Sequence, residues 1–163
     1  MILRLSKALL VLGVALYYSF VVLNNLTDYD SNYQFVRHVL MMDSTFPDNH
    51  GMWRALNSPL WHTWFYLVII LWEILTMILC WWGGVRLLRT SAGRAVPMAG
   101  AATIAVAGLT SGLLMWLVAF LAVGSEWFLM WQSKSANGQE VAFRMFTVLG
   151  VVLLLVVQPD SQE

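Results

Sequence analysis

Four long apolar runs, parted by polar stretches, organise this chain. They cover residues 3–23, 60–82, 98–123 and 141–157. A helix needs about 20 apolar residues to cross the hydrocarbon of a bilayer, and each run approaches or exceeds that length. The pattern predicts an all-α fold, a four-helix transmembrane bundle. The expected spans are 3–23, 60–82, 98–131 and 139–157. An outer loop (24–59), an inner loop (83–97) and an outer turn (132–138) join them. The whole chain, 1–163, reads as a single membrane domain.

The first run is a span rather than a signal peptide. Arg4 and Lys7 would suit a positive n-region, but no small-x-small cleavage site follows. The run continues through Leu16, Tyr17, Tyr18, Phe20 and Val22 to a spanning length. The loop 24–59 is long for a connector, so it is expected to carry structure. Tyr33, Val36, Val39, Leu40 and Met42 recur at roughly helical spacing, with Ser31 or Asn32 placed to cap the start. "DSTFPDNHG" is turn chemistry, and a second short helix is expected from Met52 towards Asn57. Short amphipathic helices are therefore predicted to lie over the outer end of the bundle.

Composition supports the membrane reading. The chain is 60% hydrophobic and 11% charged, with a mean hydropathy of +0.70; a soluble domain carries about 25% charged residues. The formal net charge is zero, so no basic patch suggests nucleic acid. Cys80 is the sole cysteine and lies inside an apolar run. It allows neither an internal disulfide nor a cysteine metal site, and reads as a small hydrophobe.

Orientation follows from lysine and arginine near the spans. Arg4 and Lys7 precede the first, and Arg86, Arg89 and Arg94 follow the second with no acid among them. Both termini are expected in the cytoplasm. Trp61 and Trp64 mark one headgroup level, Trp81 and Trp82 the other, and Trp53, Trp127 and Trp131 add to the outer belt. Trp72 and Trp116 lie deeper and read as packing residues. Gly108 and Gly112 form a GxxxG pair, which Ala101 and Ala105 extend. Small residues four apart let two backbones approach closely, inside the bundle or between copies, and packing inside is the plainer reading.

Glu73 is the first candidate for chemistry. It lies about 12 residues inside the second span, or roughly 18 Å along a helix. A carboxylate there costs at least ~2.5 kcal/mol on insertion scales. Two readings compete. Glu73 is protonated and hydrogen-bonded to Thr76, Tyr17, Ser19 or Thr110, or it takes up a proton or cation in transit. Glu126 and Arg144 flank an outer hairpin. With helix continuing to about Trp131, the two charges reach similar depth and are expected to pair as a half-buried clamp. Gln132 and Gln139 give that turn a surplus of polar groups, which suggests that something docks there.

The outer loop offers a second polar set: Asn24, Asn25, Asp28, Asp30, His38 and His62. Such residues more often cap helices and satisfy turns than bind ligands. A haem would need two histidines on facing spans, and only His62 is on one. His38, Met41, Met42, His50 and Met52 contain Cu(I)-type ligands without a diagnostic spacing. No metal or cofactor is therefore expected. No Gly-x-Ser-x-Gly elbow, P-loop or HExxH appears.

"NNLTDYDSNYQFVRHVLMMDSTFP", "WRALNSP", the Trp72-Glu73 pair and "EWFLMWQSKSANGQEVAFR" together resemble a bacterial family of predicted small integral membrane proteins of unknown function. The resemblance covers nearly the whole chain. A tryptophan often precedes "NGQ" in that family, where this chain has Ala136. The resemblance implies a four-helix protein of the bacterial inner membrane and no established activity. The expected role is that of a non-enzymatic accessory or scaffold subunit, held in the lipid bilayer against another membrane protein or a second copy. A proton- or cation-coupled carrier using Glu73 is the alternative, and an outer-surface lipid- or quinone-linked enzyme a third.

Overall fold

The computed structural model describes residues 2–91 and 98–159. Among these residues there are helices and turns and no strand, and four helical stretches are long and apolar enough to cross a membrane. Helix α1 (Ile2–Thr27) is followed by the short α2 (Tyr29–Met41). A 3-10 turn (Met52–Arg54) leads into α3 (Pro59–Ser91). Helix α4 (Met98–Leu114) passes without interruption into a π-helical segment (Met115–Trp127). A second 3-10 turn (Met130–Gln132) precedes α5 (Gln139–Val157).

The fourth span lies where the apolar pattern puts it, and the first two run on. α1 continues to Thr27 because Asn25 turns inward and does not cap it. α3 continues to Ser91, so most of the expected inner loop is helix. Nothing in "GGVRLLRTS" stops it: both glycines pack closely, and Arg89 sits in the last turn, where a cation complements the helix dipole. At 33 residues, α3 is about 50 Å long, well beyond the ~30 Å hydrocarbon core. The rest of that loop, 92–97 with Arg94, lies outside the described residues.

α3 packs along α1 on one side and α4 on the other, and α5 closes against α4 and the π segment. At one end, Lys7 Nζ donates to the carbonyl of Gln158, so the first turns of α1 meet the end of α5 there. This terminal end is tightly packed. Ala8, Ala15, Ala101 and Ala105 are fully buried, and a Cβ added to Gly83 would sit 2.5 Å from the backbone nitrogen of Ala105. A Cβ on Gly108 would meet Cys80 at 2.9 Å, and one on Gly112 the Tyr18 hydroxyl at 2.8 Å. The GxxxG face is thus occupied within the chain.

The opposite end is covered by α2, whose Val36, Val39 and Leu40 are buried. Asp28 occupies its N-cap position without a side-chain cap bond, while Ser31, an expected cap, donates to Asp28 Oδ1 at 2.9 Å. The π segment departs most from expectation. Each N–H reaches the carbonyl five residues back, which widens the turn. Its last such bond runs from Phe128 N to Val123 O at 3.0 Å. Leu129 then adopts φ 54° and breaks the helix, so the third span ends at Trp127 rather than Trp131.

Candidate functional site

The buried face of α3 carries most of that span's polar groups. His62, Tyr66, Glu73, Thr76 and Cys80 recur every three to seven residues, and all face other helices. Glu73, near the middle of α3, is only 4% exposed. Its Oε2 accepts a hydrogen bond from Asn25 Nδ2 at 2.5 Å. Asn25 is buried too, and the Tyr66 hydroxyl donates to its side-chain oxygen at 3.2 Å and its carbonyl at 3.3 Å. Tyr66, Asn25 and Glu73 thus form a relay that ties the end of α1 to the middle of α3.

The relay borders a cavity of about 360 Å3 beneath α2. Asn24 and Asn25 come from α1, Asn32 and Phe35 from α2, Tyr66 and Glu73 from α3. Trp116 and Phe120 come from the π segment, and Asn137 and Gly138 from the turn before α5. Three asparagines besides Asn25 therefore line a pocket that no basic side chain lines. Glu73 Oε1 has no hydrogen-bond partner among the described residues and is not sealed off within the protein. A buried carboxyl with one satisfied and one unsatisfied oxygen can accept a donor from the cavity.

Away from the cap the bundle closes. The Trp116 indole donates to the Tyr18 hydroxyl at 3.0 Å. The Thr76 and Ser111 hydroxyls lie 2.9 Å apart, and the Trp72 indole also reaches Ser111. Tyr18, Thr76, Leu109 and Leu149 are fully buried. The cavity is a blind one.

Residues 3–159, with all four spans and the cavity, match the family described as predicted small integral membrane protein (DUF2165). The chain belongs to that family. No curated protein and no solved structure matches it.

This family member brings together only part of the polar set in its outer loop. Asn24 and Asn25 line the cavity. Asp28 and Asp30 lie exposed at the start of α2, where they accept from Ser31 and Gln34. His38 pairs with Asp43 at 2.7 Å near the end of α2, and His62 is buried against the Leu56 carbonyl. The length of α2 keeps these residues from forming one site. Of the hydroxyls expected to hold Glu73, Ser19 bonds the Ala15 carbonyl and Thr76 bonds Ser111, and the carboxyl takes its hydrogen bond from Asn25 instead.

The expected Glu126–Arg144 clamp is not formed. Both residues are exposed, and no ion pair joins them. The pairing needs α-helical geometry to Trp131, whereas the segment is π-helical and ends at Trp127. Arg144 instead lies within electrostatic reach of Tyr17 on α1. Gln132 fastens the cap, since its Oε1 accepts from Phe46 N at 3.2 Å and Asn49 Nδ2 at 3.4 Å. Gln139 begins α5, with its N–H on Asn137 Oδ1.

Arg54 was not singled out by the sequence. Its guanidinium sits 5.4 Å from the Trp53 ring centre and 5.2 Å from that of Trp127, and Nη1 donates to the Trp127 carbonyl at 3.0 Å. The only signal for it was its place in "WRALNSP". Tyr66 had a clearer one, a hydroxyl two helical turns from Glu73 on the same face of a span.

Proposed function

We propose that the protein is a non-enzymatic ligand-binding protein of the bacterial cytoplasmic membrane. It takes a small hydrogen-bond donor or cation into the cavity beneath α2 and holds it on Glu73. The carrying observation is the free Oε1 of a buried Glu73 at a blind, asparagine-lined cavity. The closed packing around Tyr18, Thr76 and Leu149 favours binding over conduction by a single copy. Both termini are assigned to the cytoplasm, supported by Arg4, Lys7, Arg86 and Arg89 on the same end of the bundle. Native mass spectrometry of protein released in mild detergent tests the reading. A non-protein mass carried by the wild type and lost from Glu73→Gln supports it. Identical spectra would sink it, and Glu73-dependent ion flux in liposomes would replace it with a carrier.

A role as accessory subunit of a larger membrane complex is the second reading. It is favoured by the aromatic shelf at the cap end, where Trp53 is 74% exposed yet held edge-on to Trp127 by Arg54. Exposed, preordered aromatics beside an arginine are typical anchors of protein interfaces. A photocrosslinker at position 53 should capture one defined membrane protein in cells, and lose it in Arg54→Ala. Capture of lipid alone would remove this reading.

A further inference from the structure

Next to the polar cavity lies a second one of about 200 Å3, whose lining is entirely apolar apart from the indole of Trp72. It separates α3 from the π segment under α2. Phe35, Val36, Ile69 and Phe120 line both cavities, so the two share one wall of side chains. The apolar one opens sideways: on its π-helical wall Val118 is exposed and Ala119 half-buried, on the face that a bilayer would cover. Its origin is the change of helix type. α3 packs closely along α4, whereas it scarcely touches the wider π segment that continues α4. A polar chamber with an unpartnered carboxyl oxygen thus adjoins a greasy crevice that leads to the lipid.

We infer that the two chambers form one site for a cationic amphiphile, a protonated amine carried on a single alkyl or isoprenoid chain. This deepens the reading proposed above and rests on it. The amine meets Glu73 Oε1 and the asparagine side chains, and the chain leaves through the crevice into the bilayer. Charge selects the head. Glu73 is the one charged side chain on the polar cavity, so a phosphate-bearing head would find no counter-charge there, whereas an ammonium finds an acceptor beside the aromatic Phe120 and Trp116. The crevice selects the tail, since it can take apolar groups and satisfy almost no polar ones.

The test uses the purified full chain in lipid nanodiscs, with n-dodecylamine, n-dodecanol, dodecanoate and n-butylamine as probes, followed by calorimetric titration. Dodecylamine should bind more tightly than the alcohol or the carboxylate. Glu73→Gln should weaken it about tenfold or more, the scale of one charge-assisted hydrogen bond. Ala119→Trp or Val68→Trp, which fill the crevice alone, should weaken dodecylamine and leave butylamine unchanged. Equal binding of amine, alcohol and carboxylate overturns the inference, as does indifference of dodecylamine to both tryptophan variants. Butylamine bound as well as dodecylamine, and lost in Glu73→Gln, overturns the amphiphile while leaving the Glu73 site standing. No binding by any probe removes both.

Discussion

At the terminal end of the bundle, Gly83 rests on the backbone of Ala105, and Gly108 on that of Cys80. At the cap end, the same two helices are spaced by Phe65, Trp72, Phe120 and Phe128, and cavities remain between them. Small residues bring backbones together, and in lipid that close packing takes the place of the hydrophobic drive. Aromatic residues and a widened helix hold backbones apart. One end is therefore closely packed, and the other keeps cavities. Glu73 stands at the boundary, with its acid on the open side and sealed packing beyond it.

Glycine substitution gives the sharpest way to break this contrast. Gly83→Val should destabilise the protein by about 3 kcal/mol or more, because its new atoms meet backbone that cannot move aside. Gly124→Ala, at the cap end, should cost clearly less, since its Cβ would meet no backbone closer than the Ala119 carbonyl oxygen at 3.3 Å and otherwise the flexible Met130 side chain. Thermal unfolding in detergent, followed by helical circular dichroism, measures both. Similar losses would mean that the two ends are equally tight.

The next effect in size belongs to the relay. Asn25→Leu leaves Glu73 without its donor and Tyr66 without its side-chain acceptor. The expected loss is ~1–3 kcal/mol, the cost of stranding a buried polar group. Tyr66→Phe should cost less, since it strands nothing charged. Unfolding of the two variants ranks them, and the reverse order would take Asn25 out of the centre of the site.

These effects bear on what was legible in the sequence. Apolar length alone gave four spans, and α5 lies within the bounds it set. The amphipathic spacing of Val36, Val39 and Leu40 gave α2 as a cap. The polar positions of α3, from His62 to Cys80, share its buried face, because polar groups in a span turn away from lipid, though the sequence singled out only Glu73 and its expected partner Thr76 inside the span. The partner of Glu73 was not legible. Asn25 is 48 residues away, and the two meet only through the rotation of α1 against α3. Nor was the π segment, because "MWLVAFLAVGSEW" is as apolar as any α-helical span and its pattern does not reveal the wider turn. That one miss produced both the supposed clamp and the overlooked crevice.

A smaller effect tests the seal beyond the acid. Trp116→Phe removes the indole bond to the Tyr18 hydroxyl while keeping an aromatic ring in place. Hydrogen bonds between membrane helices average about 0.6 kcal/mol, so the expected loss in unfolding is about that size. A loss several times larger would show the seal, rather than the small-residue packing, to be what holds the two halves together.

The smallest expected effect concerns Glu126 and Arg144. If the helix were α-helical to Trp131, the two would share a depth and a face, and their ion pair would couple α5 to the end of the third span. In the π-helical arrangement both are exposed and unpaired. A double-mutant cycle of Glu126→Gln and Arg144→Gln should then be additive to within ~0.3–0.5 kcal/mol, as for sites that do not touch. A coupling well above that would restore the hairpin clamp. It would also require the turn between Met115 and Trp127 to tighten, which would bring the π-helical wall back towards α3 and close the apolar crevice. The cycle at the surface therefore reports on the same change of helix type that opens the site inside.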